Sequence, residues 1–428
     1  MARSDSPKRG RRELPLTVLR HRDFRLIWAG EAVSSLGTQM HALALSWQVF
    51  DLTGSVALLG VLGLVRAVSL MIVSMAGGAI ADSVNRRHLL VATNLGLLFL
   101  SALLAVATYA GFVNVILLFV VAALVSAVSS FDSPARQALI PTLVPRGRIP
   151  DAMSVNILTG NVADMLGPAI GGFAIALIGI WGTYAIDAAS FLAVVLALML
   201  MERRDDERVR IARASMSMVV EGLKFVRDTP VIYGVMLLDF LATILGATVA
   251  LTPVFAERIF ESGPQGLGLL NSAPAVGAVA GAAVMSLAPP PRNPGKVIVG
   301  AVMSYGVFLA LFGLSPSIWI AMIFLAGYGA SDAVSMTMRH TIRNLATPDH
   351  LRGRVAATHS TFSSGGPRLG EFQTGIAASL IGVRATPVIG GIGCVLVALG
   401  IAKLIPAVLN YSFSDHEASD EAARSPAD

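Results

Sequence analysis

Residues 77–90 read GGAIADSVNRRHLL. An apolar run closes on Gly77-Gly78, Asp82 and then Arg86-Arg87 follow, and a second apolar run begins at once. The stretch predicts a short charged hinge between two membrane helices. A carboxylate and arginines at such a hinge can bond to each other and to helix termini in one conformation and release in another. The plainer reading is a basic loop that only fixes topology.

On either side of the hinge the chain is almost continuously apolar. Hydrophobic residues are 54% of its 428 and charged residues only 14%, against roughly 25% charged in a soluble domain; mean hydropathy is +0.70. The chain is therefore a polytopic membrane protein. A crossing needs about 20 apolar residues. Twelve such spans are predicted, near 24–50, 55–81, 88–110, 113–136, 152–179, 182–201, 230–256, 266–288, 297–314, 317–340, 354–381 and 386–409. Lysine and arginine crowd the N-terminus, the hinge, Arg146 and Arg148, the 203–227 stretch, Arg292 with Lys296, and 339–354. With alternating spans these all fall on one side, expected to be the cytoplasm beneath a bacterial-type inner membrane, with both termini there. The same bias accounts for a pI near 9.6 without nucleic acid. No cleaved signal peptide is expected. The single cysteine, Cys394, falls in the twelfth span and excludes an internal disulfide framework.

The organisation is bipartite. A basic N-terminus (1–23) precedes a six-helix half (24–201), a cytoplasmic linker (202–229), a second six-helix half (230–409) and a tail (410–428). The linker opens as a charge run, ERRDDERVR, and continues with Met218, Val219, Leu223 and Val226 at helical spacing, an interfacial amphipathic helix. RQALIPTLVPRGRIPDAMS after span 4 aligns with RHTIRNLATPDHLRGRVAA after span 10 at an offset of 203, pairing Arg136 with Arg339. Parallel halves of this kind are a transporter plan. In span 5, Gly167-Pro168-Ala169-Ile170-Gly171-Gly172 predicts a bend and a tight helix contact, with Gly167 expected to serve the packing between halves.

The spacing Gly78, Asp82, Arg86, Arg87 resembles the loop between helices 2 and 3 of the major facilitator superfamily, G-x-x-x-D-R-x-G-R-R, with Ser83 and Asn85 departing from it. GPAIGG resembles the core of the fifth-helix motif of that superfamily's antiporters and drug exporters. FRLIWAGEAVSSLG, SPARQALIPTLVP, DAASFL, EGLKFVRDTP and LRGRVAA are together similar to the branch of drug and siderophore exporters that includes the enterobactin exporter and the macrolide efflux pumps. The resemblance spans roughly residues 22–409 and implies an all-α fold of twelve transmembrane helices in two pseudo-symmetric halves.

Ionisable residues inside lipid each cost a few kcal/mol unless paired or hydrated, so chemistry is sought there. Asp239 and Asp164, with no cation on their own helix, are the first candidates for proton coupling, and Glu31 and Glu371 the next. Arg368 with Glu371 and Asp132 with Arg136 are spaced for pairing within a helix. Arg66 could bind an anionic substrate group or neutralise a carboxylate, and neutralisation is the favoured reading. His41 and His359 read as packing or hydrogen-bonding residues, and Trp28, Trp47, Trp181 and Trp319 as interface anchors.

No P-loop, C-x-x-C, H-E-x-x-H or G-x-S-x-G is present, so no ATP, metal, cofactor or catalytic residue is expected. A membrane enzyme would need a clustered constellation, whereas these carboxylates are scattered over separate helices. The sequence predicts a monomeric carrier that meets membrane lipid, a small-molecule substrate and protons, and that exports amphipathic drugs, antibiotics or siderophores by alternating access. An inward-acting lipid or metabolite carrier of the same fold is the alternative.

Overall fold

The computed structural model describes residues 15–81, 85–202, 216–289, 291–348 and 351–412. Among them there is no strand. The first half contains α1 (Arg22–Thr53), α2 (Val56–Ala81), α3 (Arg86–Tyr109), α4 (Val115–Leu139) and α5 (Ile149–Leu200). The second begins with α6 (Met216–Asp228) and α7 (Pro230–Gly246), which runs on through a 3-10 turn into the short α8 (Thr252–Val254) and a π turn, Phe255–Ile259. It continues with α9 (Gly263–Leu287), α10 (Pro294–Gly313), α11 (Ile318–Ala346), α12 (Arg352–Ile381), α13 (Ala385–Leu404) and α14 (Pro406–Leu409).

Local chemistry sets the boundaries. Asn114 caps α4 by accepting from Leu117 N at 2.9 Å. Prolines stand in the first turns of α5, α7, α9 and α10, where the missing N–H has no intrahelical partner to lose. The continuous helix α5 is two rods, 149–178 and 180–200, because Gly179 at φ 79 and ψ 172 reverses the chain. Glycine reaches that backbone region without a Cβ penalty.

Among the described residues, eight helices are long and apolar enough to cross a membrane unaided. Counting α5 as two crossings and adding α1, α12 and the α7–α8 rod gives twelve. Those three fall short for identifiable reasons: α7 alone has 17 residues, and α1 and α12 carry polar side chains inside the bundle. Large apolar side chains cover the outside, Leu287 at 86% exposed and Leu177 at 80%. That surface suits lipid and not water. The last part of α6, Gly222–Asp228, makes 104° with α7, and Val226 packs on Ile232 and Val355.

An even number of crossings puts the two ends of the described chain, Pro15 and Ser412, at one end of the bundle, here called the terminal end. The opposite, far end is where the halves merge: one apolar core there joins Leu43, Trp47, Phe50, Leu104 and Tyr184 of the first half with Leu251, Phe255, Leu267, Phe312 and Leu325 of the second. At the terminal end each half keeps its own core, around Phe24, Leu139 and Leu198 in one and Val235, Ile298 and Ile342 in the other. Trp47 belongs to the shared core and is 8% exposed, so it is not an interface anchor. A tryptophan near a span end faces lipid only if its side of the helix does.

Candidate functional site

Between the halves lies a cavity of about 830 Å³. Leu43, Leu59, Leu62 and Leu70 supply apolar wall; Gln39, Ser126, Ser129, Asn271 and Tyr328 supply polar atoms; Arg66, Asp332, Arg368 and Glu371 supply charge. Two glycine seams close it toward the far end. A Cβ on Gly172 of α5 would meet the Pro264 carbonyl and lie 2.9 Å from Gly268 Cα of α9, while one on Gly375 of α12 would lie 2.6 Å from Gly60 Cα of α2. Backbones can approach this closely only where side chains are absent. Arg258 adds a latch at the same end, donating to the Gly54 carbonyl at 2.9 Å and covering the Phe50 ring at 4.9 Å.

An arginine cluster sits in each half toward the terminal end. In the first, Arg136 of α4 bonds Glu31 of α1 and, at 3.1 Å, Asp132. Thr93 and Asn94 of α3 donate to the other Asp132 oxygen at 3.0 and 2.8 Å. Glu31 Oε1 is buried with no hydrogen-bond partner among the described residues. In the second half Arg339 of α11 bonds Asp239 of α7 at 2.9 Å and Asp332 at 3.4 Å, and Arg343 and His359 line a small pocket beside Asp239. Arg136 and Arg339 are separated by the repeat offset of 203, and so are Gly172 and Gly375 at the two seams.

The other sequence candidates are placed as follows. Asp239 has no cation on its own helix, but Arg339 reaches it from α11, a partner that spacing within one helix cannot reveal. Asp164 is exposed and accepts a hydrogen bond from the Gln39 amide. Arg368 and Glu371 pair at 3.8 Å on α12. Arg66, expected to neutralise a carboxylate, has no ion pair or hydrogen bond among the described residues; its charged surroundings are Arg368 and Glu371.

At the hinge, Gly78 lies in the last turn of α2 and Asp82 lies outside the described residues. Arg86 donates to the Ala138 carbonyl of α4 at 3.0 Å and Arg87 to the Met199 carbonyl of α5 at 3.3 Å. Both arginines thus sit on helix C-termini, where positive charge is favoured. Asn85, a departure from the family pattern, caps α3 by accepting from Arg87 N at 3.0 Å. In the span 5 motif, Cβ atoms on Gly167 and Gly171 would meet Gln39 and Met40 of α1, within the same half. The contact between halves falls on Gly172, not on Gly167, because 167 and 172 point to different faces of the helix. Pro168 meets the same seam through its carbonyl, 2.5 Å from a Cβ on Gly268.

Sequence reasoning read His41 as a packing or hydrogen-bonding residue but missed its partner. His41 Nδ1 of α1 lies 2.9 Å from Asp187 Oδ2 of α5, which also accepts from Ser101 Oγ of α3 at 2.6 Å. Tyr184 stands edge-on to the His41 ring at 5.1 Å and donates to Gln48 at 2.9 Å. His41 borders the cavity, and its Nε2 is buried without a partner among the described residues. The available signal was Asp187 itself, an ionisable residue inside a span that calls for a partner, within the DAASFL stretch.

Comparison with known proteins agrees with this architecture. A family model described as transmembrane secretion effector matches residues 14–426. The multidrug efflux pump Tap of Mycolicibacterium fortuitum is 26% identical over 374 residues, 84% of this chain and 90% of the pump. The enterobactin exporter EntS of Salmonella typhi is 26% identical over 397 residues, 90% of this chain and 93% of the exporter. Among solved structures, the nucleoside transporter NupG superposes with a TM-score of 0.72 at 12% identity, covering 91% of this chain and 100% of that one. A bacterial homologue of the iron transporter ferroportin, in an inward-facing state, gives a TM-score of 0.69 at 14% identity over 89% and 98% of the two chains. At such identities the structural likeness concerns the fold alone.

Proposed function

The chain belongs to the transmembrane secretion effector family, within the drug and siderophore exporter branch of the major facilitator superfamily, and from that premise we propose that it is a proton-coupled exporter of amphipathic small molecules. The observation that carries this reading is the cavity between the halves: about 830 Å³, within the range of small-molecule sites, walled by leucines and by a few charges, and closed toward the far end by the two glycine seams. With the termini in the cytoplasm, as the basic loops favour, the described conformation is open to the cytoplasm. Alternating access then requires the Gly172–Gly268 and Gly60–Gly375 seams to part while the terminal ends close. The named relatives, a multidrug efflux pump and an enterobactin exporter, support export over inward carriage.

Coupling needs proton binding and substrate binding to favour different conformations. The carboxylates suited to this are those held by arginine between helices, Glu31 with Arg136 and Asp239 with Arg339. A proton on either acid frees its arginine from one partner and so alters the join between α1 and α4 or between α7 and α11. Asp164 and Glu371 are secondary candidates; Glu371 lines the cavity, and Asp164 accepts from Gln39, which does.

The test is transport in proteoliposomes with a panel of amphipathic compounds under an imposed pH gradient. Uphill movement from the terminal to the far side, abolished by a protonophore, is expected. Movement in the opposite direction would replace the proposal with the inward carrier, and gradient-independent equilibration would remove proton coupling.

A further inference from the structure

We infer that the cavity grips its cargo by a negatively charged group held between Arg66 of α2 and Arg368 of α12, so that the preferred cargo is an amphipathic monoanion. The inference rests on the reading of this cavity as the cargo site.

Both arginines line the cavity, one from each half. They are unequally provided for. Glu371 pairs with Arg368 at 3.8 Å and lies against α2 at Gly63, where a Cβ would come within 2.6 Å of Glu371 Cβ and 2.7 Å of Oε2. Arg66 follows Gly63 by less than one turn, so the three charges form one group across the α2–α12 seam. The group holds two guanidinium groups and one carboxylate; the carboxylate pairs with Arg368, and Arg66 has no ion pair or hydrogen bond among the described residues.

Of the other ionisable groups on the cavity wall, His41 lies 2.9 Å from Asp187, and Asp332 bonds Arg339 at 3.4 Å, an arginine it shares with Asp239. The group around Arg66, two arginines and one glutamate, carries one unneutralised positive charge at a depth where an unpaired ion is costly. An anion entering the cavity supplies the missing partner, and a planar carboxylate or a sulfonate matches the donor fork of arginine. The leucines on the same wall give the apolar body of the ligand a place to lie.

The arrangement also bears on the transport cycle. With one arginine in each half, a bound anion offsets the repulsion between Arg66 and Arg368 and ties α2 to α12. A neutral compound gains neither term and should be held by apolar contact alone.

The experiment is equilibrium binding of dansyl-aminoundecanoate and of its uncharged methyl ester to the purified full chain in nanodiscs of zwitterionic lipid, followed by dansyl fluorescence, with empty nanodiscs as the blank. The carboxylate should bind roughly tenfold or more tightly than the ester, the scale of one charge-assisted contact. Arg66→Gln and Arg368→Gln should each erase that preference and leave ester binding within about twofold. Glu371→Gln, which removes the competing carboxylate, should strengthen carboxylate binding and leave the ester unchanged; a merely structural role for the trio predicts weakening instead. Where a glutamine variant fails to fold, Arg66→Lys or Arg368→Lys keeps the charge and should keep the preference. Equal binding of carboxylate and ester by the unaltered protein, or a preference that survives both glutamine substitutions, would overturn the inference. Because binding needs no gradient, anion binding without export would count against the exporter reading alone, and export with no preference for anions against this inference alone.

Discussion

A carboxylate inside lipid is held either by a cation or by a proton, and Glu31 has a cation on one oxygen and room for a proton on the other. One oxygen bonds Arg136, and the other is buried without a partner. Arg136 meanwhile keeps Asp132, itself fixed by Thr93 and Asn94. Removing the charge of Glu31 should therefore leave the fold intact while taking away a site at which a proton can act. Glu31→Gln is expected to abolish accumulation driven by a pH gradient yet preserve substrate counterflow within about threefold, since the amide resembles the protonated acid and one lost charge-assisted bond leaves Arg136 partnered. Uphill transport at the unaltered rate in reconstituted Glu31→Gln would exclude the residue from coupling. The pairing of Asp132 with Arg136 was legible in the sequence because a spacing of four puts both on one helix face. That of Arg136 with Glu31 was not, since 105 residues separate them.

At the scale of elements the span 5 motif divides its work between two faces. Gly167 and Gly171 admit α1 of their own half, and Gly172 admits α9 of the other. A large side chain at each should therefore fail differently. Gly172→Leu would force the Pro264 carbonyl and Gly268 backbone apart, an overpacking cost of about 1–3 kcal/mol borne only by the conformation closed at the far end. The population should shift toward the state open there, and transport should slow. Gly167→Leu would push on Gln39, displacing its hydrogen bond to Asp164, and should lower thermal stability without shifting the conformational balance. Accessibility of a cysteine introduced at the far end, in a Cys394→Ala background, to an impermeant thiol reagent, read beside thermal unfolding, separates the two. Identical behaviour of both variants would mean that the seam has no gating role. The hinge divides in the same way: sequence located Arg86 and Arg87 between two helices, but their docking on the Ala138 and Met199 carbonyls depends on where α4 and α5 end in space.

For the whole molecule, a shared core at the far end and separate cores at the terminal end predict one-sided access. Ser129 lines the cavity. In a Cys394→Ala background, Ser129→Cys should react with a membrane-impermeant maleimide in everted vesicles and remain largely unlabelled in right-side-out vesicles; the reverse pattern would invert the proposed orientation. Much of this protein was legible without coordinates. Membrane class, the approximate positions of the twelve spans, the basic hinge, the close helix contacts of the glycines in span 5 and the repeat that relates Arg136 to Arg339 were read from sequence, because hydropathy, backbone propensity and spacing along one helix are local properties. What only the tertiary structure decided is which helix faces meet. A helix of this composition can be rotated about its axis with little change in its apolar content, and its rotation is fixed by neighbours far away in the chain. The pairing of Arg339 with Asp239, the contact of His41 with Asp187, the assignment of Gly172 and not Gly167 to the seam between halves, and the isolation of Arg66 beside Arg368 all follow from that rotation.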